Sequence, residues 1–328
     1  VDLTHELETV KTIARMAASI CQNIQTELVH PAQKNGREPV TIADYASQAV
    51  IGHALAENFP DDAVIAEERS EEFMLLLDDT MRMLVQRFVT DALGGYVFEE
   101  QICAWLDYGK QKQAERTWVI DPIDGTKGFL GNRHYCVAIG LLIDQEPVLG
   151  VLASPGFYSD DPNFSGDPGA LTYAARGIGA FTESLYGGER EPIHVSKLRD
   201  PRRATFLTSY ESAHTDMSLM DQVQVALGRD ESSPQHLLDS QDKHAMIASG
   251  IGDIFLRVVP DMTYFEKLWD HTAGYVIVTE AGGRVTDIYG QPLDFSAGTR
   301  FVNNRGVLMT NGLLHDDVLA AIAAASDL

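Results

Sequence analysis

The chain has 328 residues, 45% of them hydrophobic, with 48 acidic against 25 basic side chains and a net charge of −23. That length is enough for one large domain or two smaller ones with well-buried cores. The acidic excess argues against nucleic-acid duplexes and anionic membranes as partners, and a phosphate ligand would need bound cations or a local Lys/Arg cluster. Cys21, Cys103 and Cys136 are dispersed, form no CxxC pair and fit free thiols in a reducing compartment. No cationic, apolar leader pattern stands at the N-terminus, and no apolar run approaches the ~20 residues of a membrane helix, so the expected setting is cytoplasmic.

Leu3, Leu7, Val10, Ile13, Ala17, Ile20, Ile24 and Leu28 recur at steps of three and four. This spacing predicts an amphipathic helix over 2–29, stopped by Pro31. A second helix opens at Asp44 and runs to Asn58. Ala63 to Ala66 reads as a short strand ending in Glu67-Glu68. Residues 71–116 read as helical, with Phe73, Leu76, Leu77, Met81, Leu84 and Val85 on one face and a break at Gly94-Gly95. Trp118-Val119-Ile120 is then a buried strand that runs into Asp121-Pro122-Ile123-Asp124-Gly125-Thr126. Tyr135 to Ile143 and Val148 to Ser154 form a hairpin, as do 171–175 and 179–182. Gly187 to Pro192 is polar and Gly-rich, which makes it the candidate boundary between an N-terminal domain, residues 1–188, and a C-terminal domain, residues 189–328. Beyond it, strands at 204–209, 253–259, 284–287 and 307–310 alternate with helices at 218–227, 239–249, 271–281 and 315–325. The expected fold class is α+β with a hairpin-rich, mostly antiparallel sheet in the N-terminal domain, and α/β in the C-terminal one.

Asp121 and Asp124 lie three apart with Pro122 stiffening the backbone between them. Two close carboxylates repel unless a cation sits between them, and a hard divalent metal takes oxygen ligands. Asp-Pro and Asp-Gly are also ordinary turn chemistry, so this stretch alone reads equally as a turn or a metal site. Asp44, Glu67 and Asp270 likewise stand where elements begin or end. Singly, Thr41-x-x-Asp44 reads as a capping box, Asp270 as a helix N-cap, and Glu67 as a solvated glutamate. Together they have the ligand types of a multi-metal Mg²⁺ site. Competing motifs fail: Gly177-x-Gly179 lacks the third glycine of a dinucleotide fingerprint, and the ten histidines show no zinc spacing.

Trp118 to Thr126 and Trp269 to Gly283 resemble the two signatures of the inositol monophosphatase superfamily of Mg²⁺-dependent, lithium-sensitive phosphatases. Val40 to Gln48 and Val64 to Glu68 resemble its two N-terminal motifs, in the same order. Asp121-Pro122-Ile123-Asp124-Gly125-Thr126-Lys127-Gly128-Phe129-Leu130 resembles the 3′(2′),5′-bisphosphate nucleotidase branch. His236 to Lys243, Asp253 to Arg257 and the long helical insertion after Glu67 resemble it too. The resemblance implies a layered αβαβα sugar-phosphatase-like architecture. Its activity would be Mg²⁺-dependent removal of the 3′-phosphate from 3′-phosphoadenosine 5′-phosphate, and from 3′-phosphoadenylyl sulfate.

By that resemblance Glu67, Asp121, Asp124, Asp270 and the Ile123 carbonyl hold two or three Mg²⁺ ions, with Li⁺ as an inhibitor. Thr126 handles the attacking water and Asp44 is the general base. The 5′-phosphate and sugar fall to Ser240, Lys243 and Arg257, the adenine to His214, and Thr126 and Asp270 also touch substrate. Lys127 is a branch marker, not a catalytic residue. The partner is a small nucleotide bisphosphate, without nucleic acid or membrane, and a monomer is favoured. Two alternatives stay open: an inositol polyphosphate 1-phosphatase and a non-catalytic nucleotide sensor.

Overall fold

The computed structural model describes residues 2–29, 38–157, 169–209, 217–230, 232–258 and 263–326. Two long helices open the chain, α1 (Thr4–Leu28) and α2 (Glu38–Asn58). α1 buries Leu7, Val10, Ile13, Ala17, Ile20 and Ile24, the stripe that its spacing marks. α2 starts earlier than its capping pattern suggests. Asp44 therefore lies in its second turn, past the capping position.

The first sheet takes its strands in chain order: β1 (Ala63–Ala66), β2 (Arg116–Asp124), β3 (Cys136–Ile143), β4 (Glu146–Ser154), β5 (Ala170–Ala175), β6 (Gly179–Ser184) and β7 (Glu191–Pro192). Neighbours are antiparallel except β1 and β2. A parallel pair needs a crossover connection. The helical insertion supplies it, as α3 (Ser70–Leu76), α4 (Asp79–Leu93) and α5 (Glu99–Leu106). The expected single apolar face over this insertion is thus broken once more than the glycines indicate. Asp78 caps α4 by accepting from the Met81 N–H at 2.9 Å. Phe73, Leu77 and Val85 are buried, whereas Leu76 is 66% exposed. The β3–β4 turn puts Asp144 and Gln145 at positive φ, the geometry that fits the strand twist of a two-residue hairpin.

After β2 comes the short helix α6 (Thr126–Leu130). The second sheet holds β8 (Phe206–Ser209), β9 (Gln235–Leu238), β10 (Ile254–Arg257), β11 (Arg284–Thr286) and β12 (Val307–Thr310), in the order β11-β12-β10-β8-β9. The apolar pattern does not mark β9, an edge strand with three of four residues exposed and so without alternation. The helices of this half are α7 (Met217–Ala226), α8 (Asp242–Ala248), α9 (Thr272–Glu280) and α10 (His315–Ser326). α8 begins three residues later than the expected start at Asp239, because Ser240 turns the chain at φ 64°.

Successive residues of β2 serve opposite cores. Trp118 and Ile120 pack with α1 and α2, and Val119 packs toward α8 and α9. Buried on both faces, the strand reads as a continuous apolar run. α8 and α9 lie between the two sheets, while α7 and α10 cover the outer face of the second. The layers run α, β, α, β, α. Among the described residues no helix is long and apolar enough to cross a membrane.

Candidate active site

The C-terminal end of β2 is where the fold converges. Between Asp121 and Asp124 the pairing with β3 slips, so Pro122 and Ile123 stand outside the ladder. A bulge re-aims side chains and leaves backbone groups unpaired, which frees the Ile123 carbonyl. The Ile123 N–H donates to Asp121 Oδ1 at 3.1 Å. Ser47, one turn beyond Asp44 on α2, donates to the Pro122 carbonyl at 3.1 Å.

Asp124 Oδ2 accepts from the Gln241 N–H at 2.7 Å. The Gln241 side chain donates through Nε2 to the Trp269 carbonyl at 3.0 Å, and its Oε1 accepts from the Gly274 N–H at 3.1 Å. One buried glutamine thus fixes Asp124 relative to Asp270 at the foot of α9. Sequence alone assigns Gln241 no role; its only signal is a place in the 236–243 stretch. Asp270 precedes His271, the N-cap of α9, whose side chain makes no capping hydrogen bond among the described residues. The capping account of Asp270 therefore does not hold.

The carboxylates share one field. Burial raises Asp121 well above the ordinary carboxylate range, helped by Glu67, Asp124, Asp270 and Asp44. Burial likewise raises Asp270 well above that range, with Asp124, Glu266 and Glu67 adding to it and Arg257 opposing. Asp44 is raised well above it by burial and then by Glu68 and Glu67. Asp124 is raised by burial, tempered by Lys243, the Gln241 bonds and His271. Asp44, Glu67, Asp124 and Asp270 each keep some solvent contact, so none of the four is sealed off from an entering ion. Among the described residues no three acidic, His or Cys side chains close into a ready coordination shell. Close carboxylates repel one another unless a cation lies between them. The donors are all oxygens, four carboxylates plus a bulge carbonyl, and this set fits a hard divalent ion.

Beside the carboxylates lies a cavity of about 290 Å³, close to the lower end of small-molecule sites. Asp124, Thr126, Asp270, Ser240, Lys243 and Arg257 all line it. Asp44, Glu67 and Asp121 join Asp124 and Asp270 through the shared field, and Ile123 joins them through the bulge. Lys127 also lines the cavity and is exposed. His214 lies outside the described residues. Arg257 Nε is 2.9 Å from Glu266 Oε1, a close ion pair not aligned as a hydrogen bond. The other Glu266 oxygen takes His271 Nε2 at 3.1 Å. Sequence alone leaves Glu266 unassigned, because a buried counter-ion has no spacing signature. Lys243 is buried, and among the described residues its Nζ donates only to the Leu238 carbonyl, at 3.2 Å. Burial lowers its pKa although Asp124, Asp239 and Asp242 pull the other way. Lys267, another residue without an assigned role, places its Nζ 3.2 Å from Glu67 Oε1.

Oxygen donors at the end of β2 beside a cavity lined by Lys243 and Arg257, among alternating α and β layers, fit a phosphatase of the sugar-phosphatase type. The profile of the Inositol monophosphatase family matches residues 2–327, and the chain belongs to that family. It is 38% identical over 339 residues to a 3′(2′),5′-bisphosphate nucleotidase from Oryza sativa, covering 98% of this chain and 94% of the relative. It is 32% identical over 344 residues to 3′(2′),5′-bisphosphate nucleotidase 1 from Candida albicans, covering 97% and 94%. Among solved structures, an IMPase from Thermotoga maritima superposes with a TM-score of 0.64 at 20% identity, covering 99% of both chains. An inositol monophosphatase from Anabaena gives 0.62 at 23% identity, covering 99% and 97%.

Proposed function

We propose that this chain is a Mg²⁺-dependent 3′(2′),5′-bisphosphate nucleotidase. It removes the 3′-phosphate of 3′-phosphoadenosine 5′-phosphate to give AMP and phosphate, with 3′-phosphoadenylyl sulfate as a second substrate. The observation that carries this reading is the cavity lined at once by Asp124, Thr126 and Asp270 and by the cations Lys243 and Arg257. A monophosphate needs only the first set. A second phosphate accounts for the second, since a buried ammonium that donates, among the described residues, only to a carbonyl gains most from an anionic ligand.

Glu67, Asp121, Asp124, Asp270 and the Ile123 carbonyl would hold two or three Mg²⁺ ions. When bound, these ions supply charge stabilisation of the phosphoryl oxygens and activation of the attacking water. The Thr126 hydroxyl, at the start of α6, orients the water by hydrogen bonding. Asp44 takes its proton as general base. Gln241 keeps Asp124 aimed by holding one of its oxygens. Lys243 and the Arg257 fork bind the 5′-phosphate, and Ser240 donates to a phosphate or sugar oxygen. In this reading residues 1–188 carry most of the catalytic carboxylates, and residues 189–328 carry the nucleotide contacts and Asp270.

The test is phosphate release in Mg²⁺ from 3′-phosphoadenosine 5′-phosphate, inositol 1-phosphate and inositol 1,4-bisphosphate, repeated with Li⁺. The expected result is fastest release from the nucleotide and inhibition by Li⁺. Preference for an inositol phosphate would replace this reading with the polyphosphate 1-phosphatase. Tight nucleotide binding without turnover would replace it with a sensor.

A further inference from the structure

Lys267 occupies a place that the phosphatase chemistry does not require. Its ammonium lies 3.2 Å from Glu67 Oε1, across 200 residues of sequence, and ties the end of β1 to the segment that leads into α9. The same Nζ sits 5.1 Å from the Trp269 ring centroid, so the neighbour of Asp270 also holds it in place. Its backbone is fixed by a bridge to Arg300. Asp270 and Asp121 also lie within reach of its charge. A fixed positive charge therefore faces the same carboxylates as the metal ions of the proposed reaction.

We propose that Lys267 is a tethered counter-ion that competes with the divalent metal for Glu67, stabilising the metal-free crevice and weakening metal affinity. This inference rests on the proposed Mg²⁺ reading of the site. An ion entering at Glu67 must displace or share the ammonium, and it also meets that charge at short range. Removing the charge therefore trades stability without metal for tighter binding of metal. A merely structural lysine would lower both.

The experiment titrates Mg²⁺ calorimetrically into chelator-stripped protein without substrate, and melts the stripped protein, for wild type, Lys267→Met and Lys267→Arg. The expected result is a lower melting temperature for stripped Lys267→Met and a Kd for Mg²⁺ about tenfold smaller. Lys267→Arg, which keeps the charge, should stay near wild type in both. If the methionine variant does not melt cooperatively, Lys267→Gln repeats the titration with the hydrogen bond retained and the charge gone. Mg²⁺ affinity unchanged or weakened in the neutral variants would overturn the proposal while leaving the phosphatase reading intact. A wild type that shows no saturable Mg²⁺ heat would overturn that reading, and this inference with it.

Discussion

Asp44 and Asp124 are the same side chain in opposite surroundings. Asp124 has one oxygen held by the Gln241 N–H and lies near Lys243. Among the described residues the Asp44 carboxylate accepts no hydrogen bond, and it faces Glu68 and Glu67. A raised, undonated carboxylate in solvent contact suits a proton acceptor, and a held one suits a ligand. Asp44→Asn should cut kcat by roughly 10²–10⁴-fold. It should leave the melting temperature equal or higher, since it removes a repelled charge. A mutant that retains most of its activity would end the general-base assignment. Lys243 answers to a different measurement. Losing its charge-assisted bond should cost about 1.5–3 kcal/mol in binding, or roughly 10- to 150-fold in KM. The loss should fall on the 3′,5′-bisphosphate and spare 3′-AMP. An equal rise for both substrates would remove Lys243 from the 5′-phosphate site.

The loop from β2 into α6 shows how backbone geometry serves the site. Gly125 has φ 94°, and a Cβ there would stand 2.9 Å from the Ser240 Cβ and 3.2 Å from the His134 carbonyl oxygen. The loop of Asp124 and Thr126 is therefore pressed against Ser240 from the other half of the chain. Gly125→Ala should destabilise the fold by about 1–3 kcal/mol and lower kcat by shifting Thr126. Urea melts and steady-state kinetics would check both, and a variant neutral in both would show the packing to be slack. This element also marks the limit of what a sequence reveals. β1, β12 and the start of α10 fall where the apolar pattern puts them, because burial dictates a short apolar run for an inner strand and a 3.6-residue period for a helix. The β2 bulge, the Ser240 turn and β9 do not show, for each departs from those patterns. In the site, carboxylates at element ends are visible one by one. Gln241, Glu266 and Lys267 are not, since each acts through a partner distant in sequence or through burial that only the fold creates.

Over the whole molecule, the carboxylate field sets how stability responds to pH and metal. Glu68 is pushed up to about 7, chiefly by burial, with Glu67 and Glu72 adding to it. Asp44, Asp121 and Asp270 are also raised, each by burial first. The unfolded chain loses these protons near the ordinary carboxylate range, while the folded chain keeps them to higher pH. Between those limits the folded state binds more protons, so its stability falls as pH rises. The penalty is absent below about pH 4, where both states are protonated; it grows above that while the folded groups keep their protons, and Glu68 stops adding to it once it ionises near pH 7 while the more strongly raised groups go on. A divalent cation among the carboxylates favours their charged forms and cancels that penalty. Mg²⁺ should therefore raise the melting temperature little at pH 5 and substantially at pH 8. Thermal melts in chelator and in excess Mg²⁺, taken from pH 5 to pH 8, measure the difference directly. Asp121→Asn, which removes the charge at the centre of the field, should flatten it. A Mg²⁺ effect equal at both ends of that range would mean that the ion binds elsewhere, because only repelled, ionising carboxylates make its stabilisation depend on pH.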